Sequence, residues 1–519
     1  MTATLPVPAR SATGATAFAV RADCCAMALL ALFAADNLLL LRFLGLPAQW
    51  ITLLAVPIVF GIVHLTKLHA VEIPRIPIAV LGYAMLISLG LFLLGGEGRF
   101  FYANADWQIR DAILRDMSTQ PWPYAYALEG RAAILRAPIG MYLMPSLAGG
   151  KAHEIALLLS NSIRLALLIS LAWLLFDSRK KRVFALCVFF VFSGWDIVGT
   201  VLYANTGKHV SWDHLEQWNF GLQYSSHITQ AFWVPQHALA GWASALMFVL
   251  WRKGLAPIGW FAATVPLVAI WSPLAIMGAI PFALLAGTIS LLSRRFDWRD
   301  ILLAMLAVAV SLPALLYLQI DAAKLGSGIL RIPAPIYIIL VMLEVAPFII
   351  LPLLDRRNSN LERLTLWTIL LCLLLMPFWK IGIGKDFQMR ASIMPLALLA
   401  LAFAEWFIRS ARQPPRRNTA VGLSIIALGL GAVTPLLELH RSLVNGPSPA
   451  PRCSLLGAWH QQSGMVAPYA AYLADAASFP GRLKNVPAHV GRNDPPTCWD
   501  SAWHVIEAPR ARTHTPAGI

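Results

Sequence analysis

The sequence predicts an all-α, polytopic membrane protein of about thirteen transmembrane helices, with interface-lying helices in one large extracytoplasmic loop. Three observations predict it. Of 519 residues, 58% are hydrophobic and only 13% are charged, and the mean hydropathy is +0.65, far from the composition of soluble domains. Apolar windows close to bilayer-spanning length recur along the chain. The basic doublets between those windows fall on alternate links, as the positive-inside rule requires.

Taken in order, the windows are Cys24 to Leu41, Trp50 to Leu65, Ile76 to Leu94, Ile155 to Phe176, Val183 to Leu202, Ala231 to Trp251 and Ala256 to Trp271. Pro273 to Leu292, Ile301 to Ile320, Pro335 to Leu354, Leu364 to Phe378, Ala391 to Ile408 and Ala420 to Leu437 follow. The segment before the first window carries Arg10 and Arg21, no acid before Asp23 and no small-residue cleavage pattern after it, so a retained span is expected and not a signal peptide. With the N-terminus in the cytosol, the internal links hold Lys67 and Arg75, Arg179 to Arg182, Arg252-Lys253, Arg294-Arg295, Arg356-Arg357, and Arg412 with Arg416-Arg417. Four segments then share the outer side: the 96–150 loop, the 203–230 loop, the Lys380 to Arg390 link and the tail 438–519. The expected organisation is a transmembrane domain over 1–437 and an extracytoplasmic tail, in an inner membrane of bacterial type.

The formal charge of +15 does not imply a nucleic-acid partner, because the basic clusters sit in short links between spans. No GxGxxG or P-loop pattern is present, which argues against direct use of a cytosolic nucleotide. There is no internal repeat of fixed period. Cys24, Cys25, Cys187 and Cys372 lie in or beside apolar windows, whereas Cys453 and Cys498 stand in the polar tail, where they are candidates for a disulfide or remain two free thiols. Helix-like runs are expected in the tail around Ser463 to Ala477.

Chemistry concentrates in the polar stretches. The first loop holds Glu97, Asp106, Asp111, Asp116 and Glu129 among arginines and aromatic residues. Within it, Ala105 to Met117 places Trp107, Ile109, Ile113, Leu114 and Met117 near helical spacing, an amphipathic helix stopped by Pro121-Trp122-Pro123. Arg131 to Leu147 is a second segment able to lie along the membrane. From periodicity alone, both can be plain anchors. The stretch Tyr203 to His237 interleaves His209, His214, His227, His237, Asp213 and Glu216 with Trp212, Trp218, Phe220, Tyr224 and Trp233. Aromatic faces beside hydrogen-bonding groups suit a sugar, with Trp212, Trp218, Tyr224 and His227 as the residues in question; an interfacial aromatic belt is the alternative. No cofactor is expected, and although imidazoles with carboxylates could hold a divalent ion, the spacing matches no metal motif. Lys380, Lys385 and Arg390 put cations on the side that should be poor in them, with Gly382 and Gly384 keeping the backbone open, which suits a lipid phosphate as well as it suits snorkelling at helix ends. Asp36, Arg164, Asp196, His237 and Glu344 fall inside windows, where pairing between helices explains them as well as a transport path does.

A large extracytoplasmic loop with an acid just past a span, followed by interface-lying helices and many further spans, resembles the GT-C class of integral membrane glycosyltransferases. The resemblance is architectural and covers roughly the first four hundred residues. It implies transfer of a sugar from a polyprenyl-phosphate donor to a lipid, glycan or protein acceptor, with Asp106 as base and Glu97 or Asp111 in reserve. The class usually carries its acid after the first span, whereas this loop follows the third. Lys380, Lys385 and Arg390 then bind the donor phosphate, and polyprenyl-linked sugar and membrane lipids are the expected partners. The rivals are a transporter or flippase of lipid-linked glycans and a non-catalytic subunit of an envelope polysaccharide assembly.

Overall fold

A computed structural model describes residues 18–68, 73–150, 152–207, 210–219, 221–294, 296–382, 385–411, 418–463, 471–501 and 503. His209, Phe220, Gly384 and much of the run expected to be helical at 463–477 lie outside the described residues.

The helices are α1 (Ala22–Phe43), α2 (Ala48–Thr66), α3 (Ile78–Leu94), α4 (Asp106–Thr119), α5 (Gly140–Ser146), α6 (Ala152–Ala172) and α7 (Arg179–Val191). There follow α8 (Asp196–Ala204), α9 (His227–Trp233), α10 (Pro235–Arg252), α11 (Ile258–Leu267), α12 (Pro273–Leu292), α13 (Trp298–Gln319) and α14 (Ala334–Glu344). The last are α15 (Ala346–Leu353), α16 (Asn360–Leu375), α17 (Asp386–Ala391), α18 (Ile393–Ser410), α19 (Asn418–Gly431), α20 (Val433–Val444) and α21 (Leu455–Ser463).

This is an all-α, multi-pass membrane protein, in which fewer than thirteen helices among the described residues have the length and composition of a full span. Among the described residues, nine helical segments are long and apolar enough to cross a membrane, or ten if α14 and α15, bent by 63° at their junction, form one span. Each predicted window does carry a helix. The difference lies in length and composition. Helices α3 and α11 are shorter, α11 ending where Pro266 and the Trp271-Ser272-Pro273 break interrupt the run. Helix α10 carries Gln236, His237, Trp242 and Ser244 and is buried from Pro235 through Leu250, so its surroundings are protein and not lipid. At the other extreme α2 is mostly exposed, with Phe60 71% and Val56 68% accessible, as a lipid-facing helix at the edge of the bundle should be.

Four short strands join the first loop to the tail: β3 (Ala125–Leu128), β4 (Arg131–Leu135), β7 (Leu473–Asp475) and β8 (Ala488–Val490), in the order β7-β4-β3-β8, while β1 (Ala19–Arg21) pairs with β2 (Arg75–Pro77) and β5 (Ser327–Ile329) with β6 (Trp379–Ile381). Arg131 to Leu135 is therefore a strand and not part of a membrane-lying segment. Its alternating Ala133 and Leu135 pair with tail residues Asp475 and Leu473, so the tail satisfies backbone groups that a helix would have satisfied internally.

The amphipathic helix stands at Asp106–Thr119, ending before Pro121, close to where its pattern places it. Most of its polar face, however, is covered. Gln108, Arg110, Asp111 and Asp116 are buried together with the apolar face, because α5 and α6 pack on the helix as well as α21 of the tail, while Asp106 stays part-exposed. Asp116 explains the docking: its carboxylate accepts from the Tyr126 hydroxyl (3.0 Å) and from the backbone N–H of Leu455 (2.8 Å).

Cys453 and Cys498 are joined by a disulfide that closes a loop of 45 residues, both half-cystines lying buried. Cross-linking a loop of this size typically stabilises by about 2–4 kcal/mol. The Cys453→Ser/Cys498→Ser variant is expected to lose hydrogen-exchange protection across 453–501 while α1 and α10 keep theirs; unchanged exchange in the tail would show that the Asp116 contacts suffice.

Candidate functional site

The four segments predicted to share one side meet at one cavity of about 400 Å³. The first loop contributes Asp106, Arg110 and Tyr142, the second Gln223 and Gln230, the link Asp386 and Arg390, and the tail Trp459 and Tyr472.

Local sequence explains how Asp106 arrives there. Asn104 and Trp107 both donate to the carbonyl of Phe232 at 2.8 Å, which fixes the start of α4 against α9, and Asn104 Oδ1 also accepts from the Asp106 N–H (3.1 Å). The Asp106 side chain stays 43% exposed and lies 3.4 Å from Arg110 Nη2, one helical turn on. Arg110 is buried and donates through Nη1 to Gln236 Oε1 (2.6 Å). Across the cavity, α17 repeats the arrangement: Arg390 Nη2 lies 3.3 Å from Asp386 Oδ1. Helix α17 packs closely on α12, where a Cβ on Gly278 would run into the carbonyl of Ala391, so only glycine lets the cation-bearing helix sit so near.

Two acid–guanidinium pairs thus face a space lined by amides, imidazoles and rings. His237 Nδ1 lies 2.8 Å from Ser272 Oγ, and His214 Nδ1 lies 3.3 Å from Glu438 Oε1. Burial works against the His214 imidazolium, yet Glu438 prevails and raises its pKa above the ordinary range. Guanidiniums bind phosphate, amides and rings bind sugar hydroxyls and faces, and a part-exposed carboxylate accepts a proton.

The other expected site residues lie elsewhere. Glu97 is buried against Asn161, whose amide donates to it at 2.8 Å. Asp111 is buried on the far side of α4, with no hydrogen-bond partner for Oδ2 among the described residues. Trp218 is buried and donates to Glu344 (3.1 Å), Tyr224 donates to the carbonyl of Leu373, and His227 is stacked between Phe189 and Phe192. These rings pack the bundle, and Trp212 is exposed; none of the four lines the cavity. Lys380 sits in β6 beside Gly328, and Lys385 precedes α17, its pKa lowered by burial; neither lines the cavity. Of the ionisable residues inside windows, Arg164 is ion-paired with Asp36, whereas Glu344 accepts from the Trp218 indole and Asp196 accepts from the Ser193 and Thr434 hydroxyls. Among the described residues no group of three or more His, Cys, Asp or Glu is placed to hold a metal.

Sequence reasoning passed over Arg110, seen only as part of a polar face, and the glutamines that recur through the second loop and α10. It also missed Trp459 and Tyr472, which nothing local ties to a loop more than three hundred residues earlier.

Burial raises the Asp111 pKa to about 8, reinforced by Glu154 and opposed by Arg99 and Arg110. A carboxyl raised on folding stabilises the fold below the unfolded value of about 4, and that contribution fades as pH climbs through the folded value. The melting temperature of Asp111→Asn is therefore expected to fall less steeply than that of the parent between pH 4 and about 8. Parallel curves would place Asp111 in a solvated setting.

The fold and cavity define a multi-pass α-helical membrane protein with an acid- and arginine-lined chamber on one face. Compared with known proteins, the chain matches no family model, no curated protein and no solved structure.

Proposed function

We propose that this protein is an integral membrane glycosyltransferase of the GT-C kind, taking a sugar from a polyprenyl-phosphate donor to an acceptor hydroxyl on the extracytoplasmic face. The observation that carries the reading is the meeting of Asp106 and Arg110 of α4 with Arg390 of α17, nearly three hundred residues later in the chain, around a cavity of about 400 Å³, within the size range of small-ligand sites. In the proposed step the acceptor oxygen bonds to the anomeric carbon, the bond from that carbon to the phosphate oxygen breaks, the electron pair leaves on the phosphate and the acceptor proton passes to Asp106. Arg390 binds the phosphate oxygens in place of Asp386, and Arg110 orients Asp106 through the contact at 3.4 Å. Phosphate is a good enough leaving group to depart without a strong acid, which fits a site whose second part-exposed carboxylate, Asp386, is paired with Arg390 and not set as an acid.

A transporter is favoured by one feature, the break between α14 and α15 with buried Glu344 beside it. That break does not line the cavity, and Glu344 and Arg164 belong to separate networks. One experiment separates the readings. The purified protein in vesicles is given polyprenyl-phosphate hexoses and pentoses together with a cell-lipid extract as acceptor. A transferase releases polyprenyl phosphate; a transporter moves intact donor between leaflets. Donor movement without cleavage across the whole donor set would overturn the proposal.

A further inference from the structure

A second cavity, of about 490 Å³, lies between α3, α6 and α7 and is closed behind by Trp242 and Leu246 of α10. Its walls are apolar, and Tyr83 and Ile87 on its rim are 65% and 40% exposed, so the groove opens sideways on an apolar surface between helices of membrane-spanning character. One end alone carries cations, Arg179 and Arg182. Arg182 is engaged: Nε donates to the Phe176 carbonyl (2.8 Å) and the guanidinium stacks 3.7 Å over Trp173. Lys181 pairs with Asp177 at 2.5 Å. Arg179 and Lys180 are exposed beside them. From Arg179 to Phe190 the helix rises about 17 Å, close to the hydrocarbon depth of one leaflet, half of about 30 Å.

We infer that this groove holds an acyl chain of an anionic phospholipid from the leaflet on the Arg179 side, with its phosphate on Arg179 and Lys180. Cations confined to one end fix the direction of the lipid, and the groove length fits a chain confined to one leaflet. The inference is independent of the proposed transferase activity. The groove nevertheless touches that site, because the Trp242 indole at its inner end donates to Gln230 Oε1 (3.1 Å), and Gln230 lines the cavity of Asp106. A seated lipid therefore braces one wall of the chamber.

The test reconstitutes the full chain in phosphatidylcholine vesicles doped with phosphatidylglycerol carrying a photoactivatable acyl chain, or with the matching phosphatidylcholine probe. Peptides spanning 79–87 and 183–190 are expected to take up the phosphatidylglycerol probe about thirtyfold more than the zwitterionic one, the preference that two surface cations give. Arg179→Gln/Lys180→Gln is expected to erase the preference, and Ile169→Trp to block labelling of those peptides by both probes. Equal labelling of the unaltered protein by both probes, or labelling concentrated outside the groove, would overturn the inference whatever the variants do.

Discussion

On the proposed mechanism, Asp106→Asn is expected to abolish sugar transfer and to leave the chain folded. Its carboxylate is 43% exposed and, among the described residues, is paired with Arg110 at 3.4 Å, so its loss is expected to change stability by no more than about 0.5 kcal/mol. The amide keeps the shape and hydrogen-bonding reach of the carboxylate but cannot take a proton, which removes the general base and with it about 10²–10⁴ in rate. Arg390→Gln acts differently. It is expected to weaken binding of the proposed donor, so that its defect recedes as donor concentration rises, whereas that of Asp106→Asn does not. Release of polyprenyl phosphate over a donor series reads both. Asp106→Asn turning over at the parent rate would take the base away from this residue, and the buried positions of Glu97 and Asp111 make them poor replacements.

The largest stability effect is expected at Arg164→Met. Arg164 and Asp36 are almost wholly buried, 2.6 Å apart, and Asp36 also accepts from the Trp271 indole (2.9 Å) while the guanidinium lies 4.7 Å from the centre of that ring. Removing the cation leaves a carboxylate in the bundle without its counter-charge, a change worth about 3–5 kcal/mol. Asp36→Asn/Arg164→Met removes both charges and is expected to recover much of the loss. Thermal unfolding in detergent compares the variants. A double variant no more stable than Arg164→Met would mean that packing of the arginine stem, and not its charge, holds these helices together.

Much of the fold is legible because the bilayer imposes a single rule on sequence: a spanning segment is apolar and long. Every predicted window carries a helix for that reason. The rule cannot separate lipid from protein as the apolar surrounding, so α10, the most enclosed helix, looked like any other span although its glutamine, histidine and tryptophans suit burial in a bundle. Asp106 and Arg390 were visible because charge stands out beside membrane segments. Trp212, Trp218, Tyr224 and His227 were misplaced because an aromatic ring packing a bundle and one lining a sugar site have the same composition and spacing. The place of the tail in a sheet with the first loop was not legible because β7 and β8 are three residues each, too short to leave a period in the sequence.

The sheet order β7-β4-β3-β8 sets a timetable for the molecule. The hairpin of β3 and β4 is made early in synthesis and presents two unpaired edges to its surroundings, while the strands that cover them are encoded beyond residue 470. Trp459 and Tyr472, which wall the chamber, arrive with those strands. The chamber is thus completed late in synthesis: a nascent chain already threaded through the bilayer holds the acid and the cations, and it gains the wall made by Trp459 and Tyr472 only when the segment beyond residue 450 folds back over the first loop.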